Sequence, residues 1–148
     1  MSVLGSERQA QLVAGFKAHV ASNLYEGGAI KKQDIAQVVN QRNFARVKAL
    51  FDDAVAQGAT VAAGGVLEEA DLTIHPTILT GVTPQMKILQ EEIFAPVLPV
   101  MTYDSLDQVI DFIESRDKPL ALYIYSQDDD AIQRILDRTS SGGVTVNG

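Results

Sequence analysis

Apolar residues recur at helical spacing between Glu7 and Leu24, at Leu12, Val13, Phe16, Val20 and Leu24, with polar residues between them. That period predicts an amphipathic helix, ended by Gly27-Gly28. A second stripe, Val47, Leu50, Phe51, Ala54 and Val55, predicts a helix from about Gln37 to Gln57, with Gly58 as its left-handed cap. Ala59 to Ala63 is short, apolar and closed by Gly64-Gly65, so it reads as a strand, and residues 64–72 read as a surface excursion. Ile74 to Leu79 also reads as extended. Pro76 cannot donate to a ladder, which assigns it to a sheet edge or a strand start.

The second half is more regular. Val97 to Tyr103 predicts a strand, and Ser105 with Gln108 three residues on predicts a capped helix carrying Leu106, Val109, Ile110 and Ile113. Leu120 to Tyr125 is nearly continuous in apolar residues, the pattern of a strand buried on both faces. Asp128-Asp129-Asp130 opens a helix with Ile132, Ile135 and Leu136 that ends near Arg138. Gly142-Gly143 then leads into a last strand, Val144 to Val146. Strands alternating with helices at this spacing predict an α/β fold, a mostly parallel sheet with helices on both faces. No shift in composition divides the chain, so one domain over residues 1–148 is expected.

Composition narrows the chemistry. A net charge of −7 lacks the clustered cations that nucleic acid or an anionic membrane requires, so neither is expected as a partner. With no cysteine, the chain has no disulfide, no thiolate metal site and no cysteine nucleophile of its own. No apolar run approaches the ~18 residues of a membrane span, and Glu7, Arg8, Gln9 and Gln11 interrupt any signal-peptide core. A soluble, cytoplasmic protein is the expectation.

The familiar motifs are missing. No Gly-x-Gly pair occurs, so neither the dinucleotide fingerprint nor a phosphate-binding loop is available. His19 and His75 are isolated and read as surface or packed residues, and no metal site is expected. Asp128 to Asp130 reads as an acidic helix start facing the positive end of the dipole. The distinctive stretch is Met86 to Pro99, where Glu91-Glu92 is followed by Ile93, Phe94, Ala95 and Pro96 ahead of a strand. In extended chain Glu92 and Phe94 share a face. A carboxylate there can accept hydrogen bonds from ribose hydroxyls, and an aromatic face beside it can position a flat ring. Alternatively, Glu91 and Glu92 are solvated and Phe94 is a core plug.

That stretch resembles the Glu-Glu-Ile-Phe-Gly-Pro signature of the aldehyde dehydrogenase superfamily, with Ala95 where the family usually has Gly. The likeness continues through Val39-Asn40-Gln41-Arg42-Asn43-Phe44-Ala45-Arg46 and Pro76-Thr77-Ile78-Leu79. Lys118-Pro119-Leu120-Ala121-Leu122-Tyr123 and Thr139 to Asn147 resemble blocks of the class 3 and coniferyl-aldehyde-like branch. Order and spacing agree over about residues 8 to 147.

The resemblance implies oxidation of aldehydes to carboxylic acids with NAD or NADP, through a cysteine thiolate and a glutamate-activated water. It assigns Glu92 and Phe94 to the nicotinamide ribose and ring, and assigns no catalytic residue to this chain. The family's cysteine, cofactor domain, general-base glutamate and oxyanion asparagine would lie upstream, and its C-terminal arm downstream. The chain is therefore expected to be most of a catalytic domain, inactive alone and without tight cofactor binding. The remainder of the enzyme or a second copy is the expected partner, and a small aldehyde the parent's substrate. One alternative is a stand-alone, non-catalytic self-association module, and another a small nucleotide-binding protein of different chemistry.

Overall fold

The computed structural model describes residues 2–148, and the chain separates into two compact units, Met1–Thr102 and Tyr103–Gly148. The first unit begins with β1 (Ser2–Gly5) and the long helix α1 (Ser6–Leu24), followed by a two-residue hairpin, β2 (Tyr25–Glu26) and β3 (Ala29–Ile30). Helix α2 runs Gln41–Ala56, then β4 (Thr60–Ala63), β5 (Leu67–Glu68), β6 (Thr73–Ile74), β7 (Thr77–Thr80) and β8 (Val97–Tyr103). The main sheet has the order β1-β8-β7-β4, with β7 parallel to β8 and β4 antiparallel to β7.

Alternation along β7 divides the core between the two faces of this sheet. Ile78 and Val100 meet Leu12, Val13 and Phe16 of α1 on one side. Leu79 and Val97 meet Phe44, Val47, Leu50 and Ala54 of α2 on the other. Helices therefore cover both faces, as the periodicities predict. On α2 the buried stripe starts at Phe44, while Val55 faces solvent.

Two boundaries differ from the sequence reading. Helix α2 starts at Gln41 rather than Gln37, because Asn40 caps it by accepting from Asn43 N at 2.9 Å. Val38 is committed elsewhere, donating its N–H to Leu72 O. Ile74 to Leu79 is two strands, not one. Pro76 falls between β6 and β7, so β7 takes an interior place in the sheet while its proline-blocked position lies outside the ladder. The C-terminal cap at Gly58 is as predicted, at φ +101 with its N–H on Val55 O.

The excursion over residues 64–72 contains β5 and a short 3-10 turn, pairs through β5 with β6 just beyond it, and is tied to Lys32. Lys32 Nζ pairs with Glu68 at 2.6 Å and with Asp71. His75 is packed as expected: its Nδ1 hydrogen-bonds with Tyr25 Oη at 2.6 Å and its Nε2 faces Glu68 at 3.2 Å. Hydrogen bonding to the Lys32 ammonium holds the Glu68 and Asp71 carboxyls below their ordinary values of 4.5 and 3.8. Carboxylates depressed in the folded state stabilise it above those ordinary values, and that contribution is lost as pH falls through the depressed ones. Lys32→Met is therefore expected to lower the melting temperature at neutral pH. The gap from the unsubstituted chain should narrow progressively as thermal melts are taken below the ordinary carboxylate range.

The second unit holds α3 (Leu106–Glu114), β9 (Ala121–Ile124), α4 (Asp129–Arg138) and β10 (Gly143–Val146). Strands β9 and β10 are parallel, with Gly143 opposite Ala121 and Val146 opposite Ile124. Ser105 caps α3 by accepting from Gln108 N, while the Gln108 side chain accepts from Asp104 N, one residue before the cap. Asp128 caps α4 through Ala131 N, so the acidic run is a helix start. Arg134 pairs with Asp107, and Arg138 with Glu114 at 3.2 Å, joining α3 to α4.

One expectation about this unit fails. Leu120 to Tyr125 is not buried on both faces: Leu120 is 90% exposed, and Tyr123 and Tyr125 also lie in solvent. Two strands and two helices provide too little apolar surface to enclose a strand.

Candidate functional site

The signature stretch lies in the first unit, between a 3-10 turn (Lys87–Leu89) and β8. Buried Met86, Ile88 and Leu89 dock the turn against α2. Asp53 of α2 adds a polar tie, accepting from Lys87 N at 3.2 Å. After this anchor the chain leaves regular structure until Val97. Its far end is held by Thr77 N, which donates to Pro96 O at 2.9 Å at the start of β7.

Between these ends, Arg46 of α2 reaches the loop backbone. Its Nη1 donates to Glu92 O at 2.8 Å and its Nη2 to Ile93 O at 2.9 Å. Glu91 lies toward the same guanidinium, with Oε2 4.0 Å from Nη1. The adjacent Glu92 carboxylate is exposed, and no described side chain bonds it. The two neighbouring carboxylates thus have different surroundings.

Phe94 is not a core plug. It is 82% exposed, and its backbone is left-handed at φ +52. A non-glycine residue pays about 1–2 kcal/mol for that conformation. The strain does not fall on Ala95, the position that carries Gly in the resembled signature, because Ala95 has a negative φ. The extra methyl therefore meets no conformational penalty. Ile93 and Ala95 instead pack partly into the α2-side core, so alternate residues of the loop turn inward while Glu92 and Phe94 are exposed.

Glu92 and Phe94 line one cleft of about 760 Å³ with Val38, Val39, Asn43 and Arg46. The segment before α2 supplies the facing wall, and Asn40 caps the helix beside it. The cleft thus combines apolar surface, an open carboxylate and an exposed aromatic ring. These can hold a ligand that offers hydroxyl donors next to a flat ring.

Comparison with known proteins decides the family. The aldehyde dehydrogenase family description matches residues 3–148. The chain belongs to the aldehyde dehydrogenase family. AldX of Bacillus subtilis strain 168, named for the same family, is 53% identical over 116 residues, covering 78% of this chain and 26% of its own. The rat aldehyde dehydrogenase family 3 member A2 is 42% identical over 139 residues, 94% of this chain and 28% of the relative. Among solved structures, Staphylococcus aureus AldH in its substrate-bound state aligns with TM-score 0.85 at 34% identity, over 98% of this chain and 31% of that one. The chain therefore spans between a quarter and a third of these aldehyde dehydrogenases.

Family 3 relatives agree with the branch suggested by the Lys118 to Tyr123 and Thr139 to Asn147 blocks. The structural matches agree with the α/β fold and its mainly parallel sheet. No helix among the described residues is long and apolar enough to cross a membrane.

The sequence places Arg46 within a family-like block but marks no role for it. The available signal was helical spacing, since Asn43 and Arg46 are three apart and share a face of α2. That spacing does not indicate a meeting with carbonyls 46 and 47 residues further along the chain.

Proposed function

We propose that this chain forms part of an NAD(P)-dependent oxidoreductase that converts aldehydes to carboxylic acids. In this reading Glu92 and Phe94 contribute to the nicotinamide half of the cofactor site. The observation that carries it is the exposed aromatic in a left-handed conformation, sharing a cleft with an open carboxylate. Strain of this kind persists where the surrounding structure over-determines it, and such positions cluster at ligand sites.

The donor set fits the cofactor. The Glu92 carboxylate can accept from both ribose hydroxyls, and the Phe94 ring offers a face to the nicotinamide. Val38 and Val39 supply apolar wall that limits water beside it. NAD(P)⁺, when bound, supplies the hydride acceptor. The chain contains no cysteine, so the nucleophile attacking the aldehyde must come from elsewhere in the enzyme. The remainder of the enzyme is the proposed partner, covering the exposed Leu120, Tyr123 and Tyr125 of the second unit.

The test is a spectrophotometric assay of the complete protein beside this 148-residue chain, each with NAD⁺ or NADP⁺ and a panel of aromatic and medium-chain aldehydes. Reduced cofactor should accumulate with the complete protein and not with the chain alone. No turnover of any aldehyde by the complete protein would overturn the reading.

A further inference from the structure

We infer that Arg46 is a positioning residue for the cofactor site, clamping the loop backbone so that Glu92 and Phe94 are both presented to the cleft. This rests on the reading of those two residues proposed above. Between the tie of Glu91 N to Lys87 O and that of Thr77 N to Pro96 O, two consecutive carbonyls converge on one guanidinium. Carbonyls of adjacent residues in extended chain point to opposite sides, so their convergence marks a sharp local turn. Phe94 comes directly after that turn, in its left-handed conformation.

The planar guanidinium is suited to this task. It presents donors in a fixed fork and can serve both carbonyls at once, which a lysine ammonium on a flexible stem does less well. The base of the clamp is rigid, because Phe44 and Val47 on either side of Arg46 are fully buried. Its guanidinium also lines the cleft, with the side chain 34% exposed. Arg46 Nη1 and Nη2 each donate to a loop carbonyl, so the residue acts on the site through the loop backbone.

The complete enzyme tests this with Arg46→Ala, Arg46→Lys, Glu92→Gln and the Arg46→Ala/Glu92→Gln double variant. All are assayed below their measured melting temperatures. The expected result is a loss of about tenfold to a hundredfold in kcat/KM for the cofactor in Arg46→Ala, as for a displaced binding group. The KM for aldehyde should change far less. Arg46→Lys, which keeps charge and helix propensity, should fall between Arg46→Ala and wild type. Glu92→Gln should cost less in the Arg46→Ala background than alone, because the clamp and the carboxylate act as one unit.

A lowered melting temperature with cofactor kcat/KM within about twofold of wild type would make Arg46 a structural strut and overturn the proposal. If Glu92→Gln is impaired while both Arg46 variants are normal, the role of Arg46 fails and the site reading stands. If Glu92→Gln is itself unimpaired, the site reading fails and the proposal falls with it.

Discussion

Replacing Glu92 by Gln in the complete enzyme should lower kcat/KM for the nicotinamide cofactor about tenfold to a hundredfold, with little change in stability. A hydrogen bond to a charged group is worth about 1.5–3 kcal/mol, and each 1.4 kcal/mol is about tenfold. The Glu92 carboxylate is exposed and bonded by no described side chain, so the folded chain does not consume that energy internally. Gln keeps the shape but leaves one neutral acceptor oxygen, so it cannot receive two hydroxyl donors equally. Exposed substitutions of this kind change stability by only about 0.5 kcal/mol. Steady-state kinetics with varied cofactor, beside urea unfolding, separates the two effects. Unchanged kinetics would return Glu92 to the solvated reading.

The second large effect concerns the scaffold behind the site. Gly64→Ala should destabilise the chain by about 3 kcal/mol, combining left-handed backbone strain with a steric clash. Gly64 has φ +71, and a Cβ there would fall against the Pro76 carbonyl and 2.7 Å from Thr77 Oγ1. That hydroxyl is already committed, accepting from Gly65 N at 2.9 Å and donating to His75 O at 2.7 Å. Backbone would therefore have to move. Thr77 N also holds Pro96 O, so the displacement reaches the end of the signature loop. Gly58→Ala is the control. Gly58 has φ +101 but nothing within 4 Å of its added Cβ, so it should lose about 1 kcal/mol from backbone strain alone. Equal losses in urea unfolding of the two variants would show that the close approach at Gly64 is relieved without cost.

Much of the fold was legible wherever one element's own residues decide its form. Helix α1, strand β8, the Ser105 and Asp128 caps and the Gly58 terminus follow from periodicity and from side chains bonding the nearest backbone. The order of strands and helices carried the α/β class. Failures came where a distant partner outcompeted the local pattern. The helix expected from about Gln37 starts instead at Gln41, because Val38 N bonds Leu72 O and Asn40 caps the first turn. The run from Leu120 to Tyr125 has the composition of a core strand, but exposure depends on what surrounds it.

The site divides in the same way. The sequence by itself determined the family-like signature, the pairing of Glu92 with Phe94 and the lack of a thiol, because these are matters of residue identity and order. Only the tertiary structure decided that Arg46 clamps two carbonyls and that Glu91 lies toward it while Glu92 stays open. It also decided that the left-handed strain rests on Phe94 and not on Ala95. Each of these depends on where α2 packs against the Lys87–Leu89 turn. That placement is set by burial of Phe44, Val47, Leu50, Ile88 and Leu89 in one core, a collective property of residues far apart in the chain.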